Sequence, residues 1–367
     1  MLFLLMLCAA STFLIAGLLV RYSGDHSNRY GFSLPQRFHA GHVPRLGGAA
    51  MLVGCTVGWS WMVLSDTLKL ANMIRLDGWM ALSIWAVTLI PVAGGILEDI
   101  TQRLGVGLRL ILTVAAALLA VSVLHLTIGR LGISWIDGPW ASVPWLGIAL
   151  AVIAISGLPH AFNLIDGYNG LAGIVALICS LALAYVALQV GDRQLAAMVL
   201  VLAGSTGGFL VWNYPRGLLF AGDGGAYLWG VVIAIVSVML VLRHPTVSPW
   251  FPALLLIYPV WETIFSVYRK SARGSSPGLA DALHFHQLIY RRIVRGVFHD
   301  DESRRMLTRN NRTSPYLWSF TLLTVVPAVL FWQNTVVLMA FCVLFIVSYV
   351  YAYMSIIRFK VPRWLRR

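Results

Sequence analysis

The chain has 367 residues, 59% of them hydrophobic and only 11% charged, which excludes a soluble globular domain and leaves an integral membrane protein. Its formal net charge of +13 calls for no nucleic acid, because most of the excess marks membrane topology and the rest would attract anionic head groups and phosphate-bearing substrates. Cys8, Cys55, Cys179 and Cys342 each lie inside an apolar run without paired spacing, so they read as small buried hydrophobes, not as disulfides or zinc ligands.

A helix crosses the roughly 30 Å hydrocarbon layer with about 20 apolar residues, and runs of that kind predict about eleven crossings. They lie at 2–20, 46–64, 78–97, 108–126, 144–162, 170–189, 194–212, 225–243, 247–266, 316–333 and 335–356. The first run lacks a basic leader and is followed by Arg21, so it is expected to be a retained helix and not a cleaved signal. Pro252 and Pro259 should bend the ninth crossing, since each removes a backbone donor and crowds the preceding turn. The largest polar stretch, about 267–315, is expected to be a cytoplasmic loop that contributes to the functional site, with a short helix over Asp281–Phe298 capped by Asp281. No internal repeat or low-complexity linker appears, so residues 1–367 read as one all-α, polytopic transmembrane domain.

Threaded through eleven crossings, 22 of the 27 basic residues fall on one side; Lys69, Arg75, Arg130, Arg193 and Arg243 scatter over the other. The positive-inside rule makes the crowded side cytoplasmic, which predicts a periplasmic N-terminus and a cytoplasmic C-terminus. The polar motifs land on that same side. They are His39-Ala-Gly-His-Val-Pro-Arg-Leu-Gly-Gly48, Gly95-Ile-Leu-Glu-Asp-Ile-Thr-Gln-Arg103, Asn163-Leu-Ile-Asp-Gly-Tyr-Asn-Gly-Leu171, Gly222-Asp-Gly-Gly225 and His284-Phe-His286.

Singly, each motif has an ordinary explanation. Asp-Gly and Asn-Gly form turns, Glu98 and Asp99 can end a helix at the membrane surface, Arg45 can serve as a topology anchor, and two histidines one residue apart on a helix should point to different faces. Together they are harder to dismiss, because carboxylates at membrane depth are costly and usually mark a site. Glu98, Asp99, Asp166 and Asp223 reach one leaflet from different helices, beside Asn163 and Asn169. Hard oxygen donors of this kind suit Mg²⁺, which keeps substrate phosphates and waters in its shell. Arg and His donors suit a phosphate-rich ligand, and flanking glycines let backbone amides approach an anion. The residues alone therefore point to a Mg²⁺-dependent phosphoryl-transfer site open to the cytoplasm.

In these motifs the chain resembles the polyprenyl-phosphate N-acetylhexosamine-1-phosphate transferases, in order from about Arg37 to Arg292. Asn163–Leu171 looks like the family's N-x-x-D-G-x-N-G-L signature. Gly222-Asp223 resembles its G-D element, Glu98-Asp99 its paired aspartates, Pro44–Gly48 its P-R-x-G-G element, and His284-Phe-His286 its late histidine motif.

The resemblance implies transfer of a sugar 1-phosphate, expected to be that of an N-acetylated hexosamine, from a UDP-sugar to undecaprenyl phosphate in the bacterial inner membrane, with release of UMP. It further implies Asn163 and Asp223 on Mg²⁺, with Mn²⁺ as a substitute; Asp99 with Glu98 at the acceptor phosphate; and Asp166 as a further acidic site residue. His284 and His286 would take the donor phosphates, Asn169 and Arg45 would serve the substrate side, and a homodimer is expected. Glu98 replaces the first aspartate of the pair and Gln287 a third histidine, while Asn169 stands where the peptidoglycan branch has aspartate, which favours the enzymes that start O-antigen or related surface polysaccharides. The competing class is a transporter or flippase of nucleotide or lipid-linked sugars, whose site would sit near the bilayer midplane.

Overall fold

The computed structural model describes residues 1–23, 43–69, 74–274, 283–294, 297 and 301–358. His39, His42 and Asp281, and with Asp281 the expected helix cap, lie outside the described residues. Every regular element among the described residues is helical: α1 (Leu2–Tyr22), α2 (Gly47–Thr67), α3 (Gly78–Thr101), α4 (Val106–Leu124), α5 (Ser134–Ala141), α6 (Pro144–Ile165), α7 (Leu171–Gln189), α8 (Arg193–Asn213), α9 (Gly222–Arg243), α10 (Trp250–Leu255), α11 (Ile257–Ala272), α12 (Phe285–Arg292), α13 (Glu302–Leu330) and α14 (Thr335–Ile357).

Ten of the described helices are long and apolar enough to cross a membrane. The ninth run, expected at 247–266 as one bent crossing, is two helices, α10 and α11, broken at Leu256 between Pro252 and Pro259. A second difference lies ahead of the tenth run. Expected to begin at 316, α13 starts at Glu302 and takes up the last part, 302–315, of the segment read as loop. Asp301 caps it by accepting from Ser303 N at 2.8 Å, and Arg305 pairs with Glu302 in the first turn. Hydropathy cannot register so polar a helical extension, whereas a side-chain cap at its start accounts for it.

The centre of the bundle is α9, which is apolar around its whole circumference and almost wholly buried. It packs on α2, α3 and α6, and small residues make those crossings close. A Cβ on Gly48 would stand 2.2 Å from Gly225 N, one on Gly95 2.5 Å from Gly224 N, and one on Gly230 2.3 Å from the Pro159 backbone. α1 lies on α8 in the same manner, with Gly204 and Gly208, four residues apart, against the carbonyls of Leu5 and Ala9. At the far end of α9, Arg130 donates to the carbonyls of Val241, His244 and Val247. It thus covers unpaired acceptors at the negative end of the helix dipole. All four cysteines are buried and free, as their placement in apolar runs predicts.

Candidate active site

The site is built around the first turn of α9. Pro44–Gly48 runs alongside residues 220–221: Phe220 N donates to Pro44 O, Gly47 N to Phe220 O and Gly48 N to Ala221 O, each at 2.9 Å. Gly222 then turns with φ +70°, and a Cβ there would lie 2.4 Å from both the Arg45 carbonyl and the Asp99 carboxylate. Only glycine fits that combination of dihedral and crowding. The chain enters α9 with Asp223 as its second residue.

Asp99, at the end of α3 and 4% exposed, accepts the backbone N–H groups of Asp223 (2.9 Å) and Gly224 (3.0 Å). Two orphan donors of the helix start are thereby satisfied by a carboxylate placed where the dipole favours negative charge. Its sequence neighbour Glu98 turns elsewhere and accepts Leu104 N at 2.6 Å, closing the connection to α4. The acidic pair therefore divides: Asp99 holds the frame of Asp223, and Glu98 holds the next loop.

Both carboxylate oxygens of Asp223 have partners. Asn163 Nδ2, from the last turn of α6, donates to Oδ1 at 2.7 Å, and the Arg109 guanidinium, from the first turn of α4, pairs with Oδ2. Tyr227, one turn further along α9, lies beside Arg109. Below it the His160 ring meets Tyr227 edge-on at 5.4 Å and reaches Thr113 Oγ1 at 3.0 Å. Asn163 and Asp223, expected to act together, are thus in direct contact.

Asp166 ends α6. Burial and the nearby Asp223 carboxylate push its carboxyl up to about 7, against the opposing charge of Arg45. Asn169 takes another direction. It is 1% exposed; its N–H donates to Asn310 Oδ1 (2.8 Å), its side-chain amide to Asn311 Oδ1 (3.0 Å), and its carbonyl accepts from Ser314 Oγ (2.7 Å). These partners lie on α13, and the same side-chain amide donates to Pro215 O at 3.4 Å, so Asn169 ties the signature loop to that helix and to the turn at 213–217.

His284 and His286 depart from the expectation of opposite faces. His284 is the extended N-cap of α12 (φ −65°, ψ 149°), outside the helical repeat, and the two rings stack in parallel at 5.4 Å. His286, 2% exposed, faces the signature loop: its Nε2 lies 3.1 Å from the place a Gly167 Cβ would occupy, and its ring meets Tyr168 edge-on. Burial, then the neighbouring His284, pushes its imidazole down to about 3. Gln287, which replaces a histidine of the family motif, accepts the His284 N–H with its side chain at 3.3 Å. Its amide therefore braces the start of the helix that carries both rings.

Two neighbours were not assigned from sequence. Arg109 counts there only as one more base on the crowded side, and nothing in the local sequence ties it to Asp223, 114 positions further along the chain. Glu262, a lone carboxylate just past the Pro259 break, is wholly buried against His284 and Tyr349.

Among the described residues no three His, Cys, Asp or Glu side chains form a ready metal cluster. The donors nevertheless suit a hard divalent cation: Asp223 offers a carboxylate, Asn163 an amide oxygen once its amide turns over, and Asp166 a second acid nearby. A site of one or two carboxylates completed by substrate phosphate and water is the usual magnesium arrangement.

Residues 81–241 match the glycosyl transferase family 4 model. That span holds Glu98, Asp99, Arg109, Asn163, Asp166, Asn169 and Asp223. The chain is 26% identical over 265 residues to the probable undecaprenyl-phosphate N-acetylglucosaminyl 1-phosphate transferase of Bacillus subtilis, covering 72% of this chain and 69% of that protein. It is 30% identical over 142 residues to the undecaprenyl-phosphate alpha-N-acetylglucosaminyl 1-phosphate transferase of Thermotoga maritima, 39% of this chain and 43% of that one. Identity to the phospho-N-acetylmuramoyl-pentapeptide-transferase of Moorella thermoacetica is 29% over 202 residues, 54% of this chain and 61% of the relative.

Proposed function

We propose that this chain, which carries a glycosyl transferase family 4 domain over residues 81–241, transfers an N-acetylated hexosamine 1-phosphate from a UDP-sugar to undecaprenyl phosphate and releases UMP. The observation that carries the reading is the meeting of Asn163, Arg109 and Asp223 at the start of α9, inside the matched span and on the frame set by Asp99. The names of the Bacillus and Thermotoga relatives supply the donor class, N-acetylglucosamine, and the acceptor. The relatives named above are transferases, none of them a transporter.

In the proposed reaction an oxygen of the lipid phosphate attacks the β-phosphorus of the UDP-sugar. The new P–O bond forms as the bond from that phosphorus to the bridging oxygen breaks, and the bridging oxygen leaves on UMP. A phosphate monoester has its second pKa near 6, so the acceptor is already mostly dianionic at neutral pH and no strong base is needed. Positioning and charge neutralisation then provide most of the acceleration. Asp223 and Asn163 would hold Mg²⁺, or Mn²⁺ in its place, and the bound ion would neutralise charge on the diphosphate. Arg109, released from Asp223, adds a second cation at that point. His284 and His286 bind the donor phosphates, Arg45 lies near enough to Asp166 to share the anionic ligand, and Asn169 keeps the signature loop in place.

The site faces the cytoplasm of a bacterial inner membrane, with the N-terminus outside and the C-terminus inside, and the enzyme works as a homodimer in the first membrane step of an O-antigen or related surface polysaccharide. The aqueous nucleotide sugar and the lipid acceptor meet at that membrane face. The test is to incubate purified protein with undecaprenyl phosphate, Mg²⁺ and UDP-N-acetylglucosamine and to weigh the lipid product. A mass increase of one N-acetylhexosamine phosphate with stoichiometric UMP is expected; release of free sugar or no UMP overturns the reading.

A further inference from the structure

Glu262 has no place in the chemistry described so far, yet it is among the most enclosed charged groups of the described chain. Burying a carboxylate is costly unless its oxygens are well supplied with donors. Here Oε1 accepts Phe285 N at 3.0 Å and lies 3.3 Å from His284 Nδ1, while Oε2 accepts the Tyr349 hydroxyl at 2.6 Å. One side chain from α11 thus joins the first residues of α12 to α14.

We propose that Glu262 is a positioning residue for the nucleoside-diphosphate end of the site and acts through His284. The proposal rests on the reading that His284 and His286 hold the donor phosphates.

An isolated eight-residue helix has too few hydrogen bonds to offset its nucleation cost, so α12 is held from outside. Its C-terminal end is anchored by Arg292, which donates to the carbonyls of Ile356 and Ile357, and by Arg309, which donates to Tyr290 O and Val294 O. Gln287 braces the start from within the helix, and Glu262 is a charged partner that reaches it from another element. Because Glu262 already occupies the Phe285 N–H, that donor is not left for a substrate anion. The phosphate-binding capacity of this corner lies in the two stacked rings, and the carboxylate beside Nδ1 sets where the His284 ring stands.

Glu262→Gln keeps the shape of the side chain and removes its charge. In detergent, with undecaprenyl phosphate and UDP-N-acetylglucosamine, it is expected to raise the KM for the nucleotide sugar about tenfold. The KM for the lipid and kcat should change less than threefold, the pattern of lost ground-state binding. His284→Ala should raise the same KM, and the double variant should match His284→Ala alone, because the two residues act as one unit. If the two effects add, or if Glu262→Gln lowers kcat with donor KM unchanged, Glu262 is not acting through His284. If His284→Ala raises donor KM and Glu262→Gln does not, the positioning role alone is lost. If His284→Ala leaves donor KM unchanged, the histidine assignment fails and the proposal falls with it. Should Glu262→Gln not accumulate in membranes, Tyr349→Phe removes one donor from the same carboxylate and must give a smaller shift of the same kind.

Discussion

Asp99 holds Asp223 by the backbone: its carboxylate accepts the N–H groups of Asp223 and Gly224 and sets the direction in which α9 leaves the site. Asp99→Asn offers one acceptor oxygen where two are used and turns an N–H₂ group toward a backbone donor. Losing a buried, charge-assisted bond costs about 1.5–3 kcal/mol. The variant should melt at lower temperature in detergent and turn over more slowly at every pH. Full recovery of activity in alkaline buffer would assign Asp99 the role of a base.

Asp223→Asn removes the carboxylate that accepts from the Asn163 amide. Mg²⁺-dependent release of UMP should vanish, since a site with so few anionic ligands does not tolerate the loss of one. Titrating Mg²⁺ against UMP formation checks this, and full activity at low Mg²⁺ contradicts it.

Arg109 occupies one oxygen of Asp223, so a divalent cation must compete with it. The pair is partly exposed, which screens the attraction and limits its worth to about 1 kcal/mol. Arg109→Gln should therefore bind Mn²⁺ about fivefold more tightly, read by electron paramagnetic resonance, while its UMP release falls. Unchanged Mn²⁺ affinity would show that the guanidinium does not obstruct the cation.

His286 and Asp166 give stability opposite pH slopes. His286, held at about 3 against an ordinary 6.5, is neutral in the folded state where the unfolded chain takes a proton, so its contribution is lost as pH falls from about 6.5 toward 3. Asp166, raised to about 7 from 3.8, keeps a proton that the unfolded chain has released, so its contribution is present below about 4 and lost as pH rises through 7. Between about pH 4 and 6.5 the two largely cancel, each slope being about 1.4 kcal/mol per pH unit at most. Asp166→Asn should expose a steep loss of melting temperature on acidification, and His286→Phe the reverse slope. A flat profile in both variants would remove the argument.

Ten of the eleven expected spans were legible from sequence, as were the free cysteines, while the bend expected at Pro252 and Pro259 is a break into two helices. Lipid leaves the backbone no partner but itself, so apolar length alone implies a helix, and each polar motif then falls at a helix end by counting. The early start of α13 was hidden because polar residues close a hydropathy window whether or not a capped helix continues through them. The stacking of His284 on His286 was hidden because it depends on His284 standing outside the helical repeat.

What sequence determined by itself is which apolar runs form helices long enough to cross a membrane and which residue types sit at their ends. Only the tertiary structure decided that Asp99 faces backbone while Glu98 closes a loop, that Arg109 meets Asp223, and that Glu262 reaches His284. Hydropathy is a sum over residues along one chain. Those pairings depend on the register between helices, and that register is set by glycine contacts such as Gly48 and Gly95 on the first turn of α9.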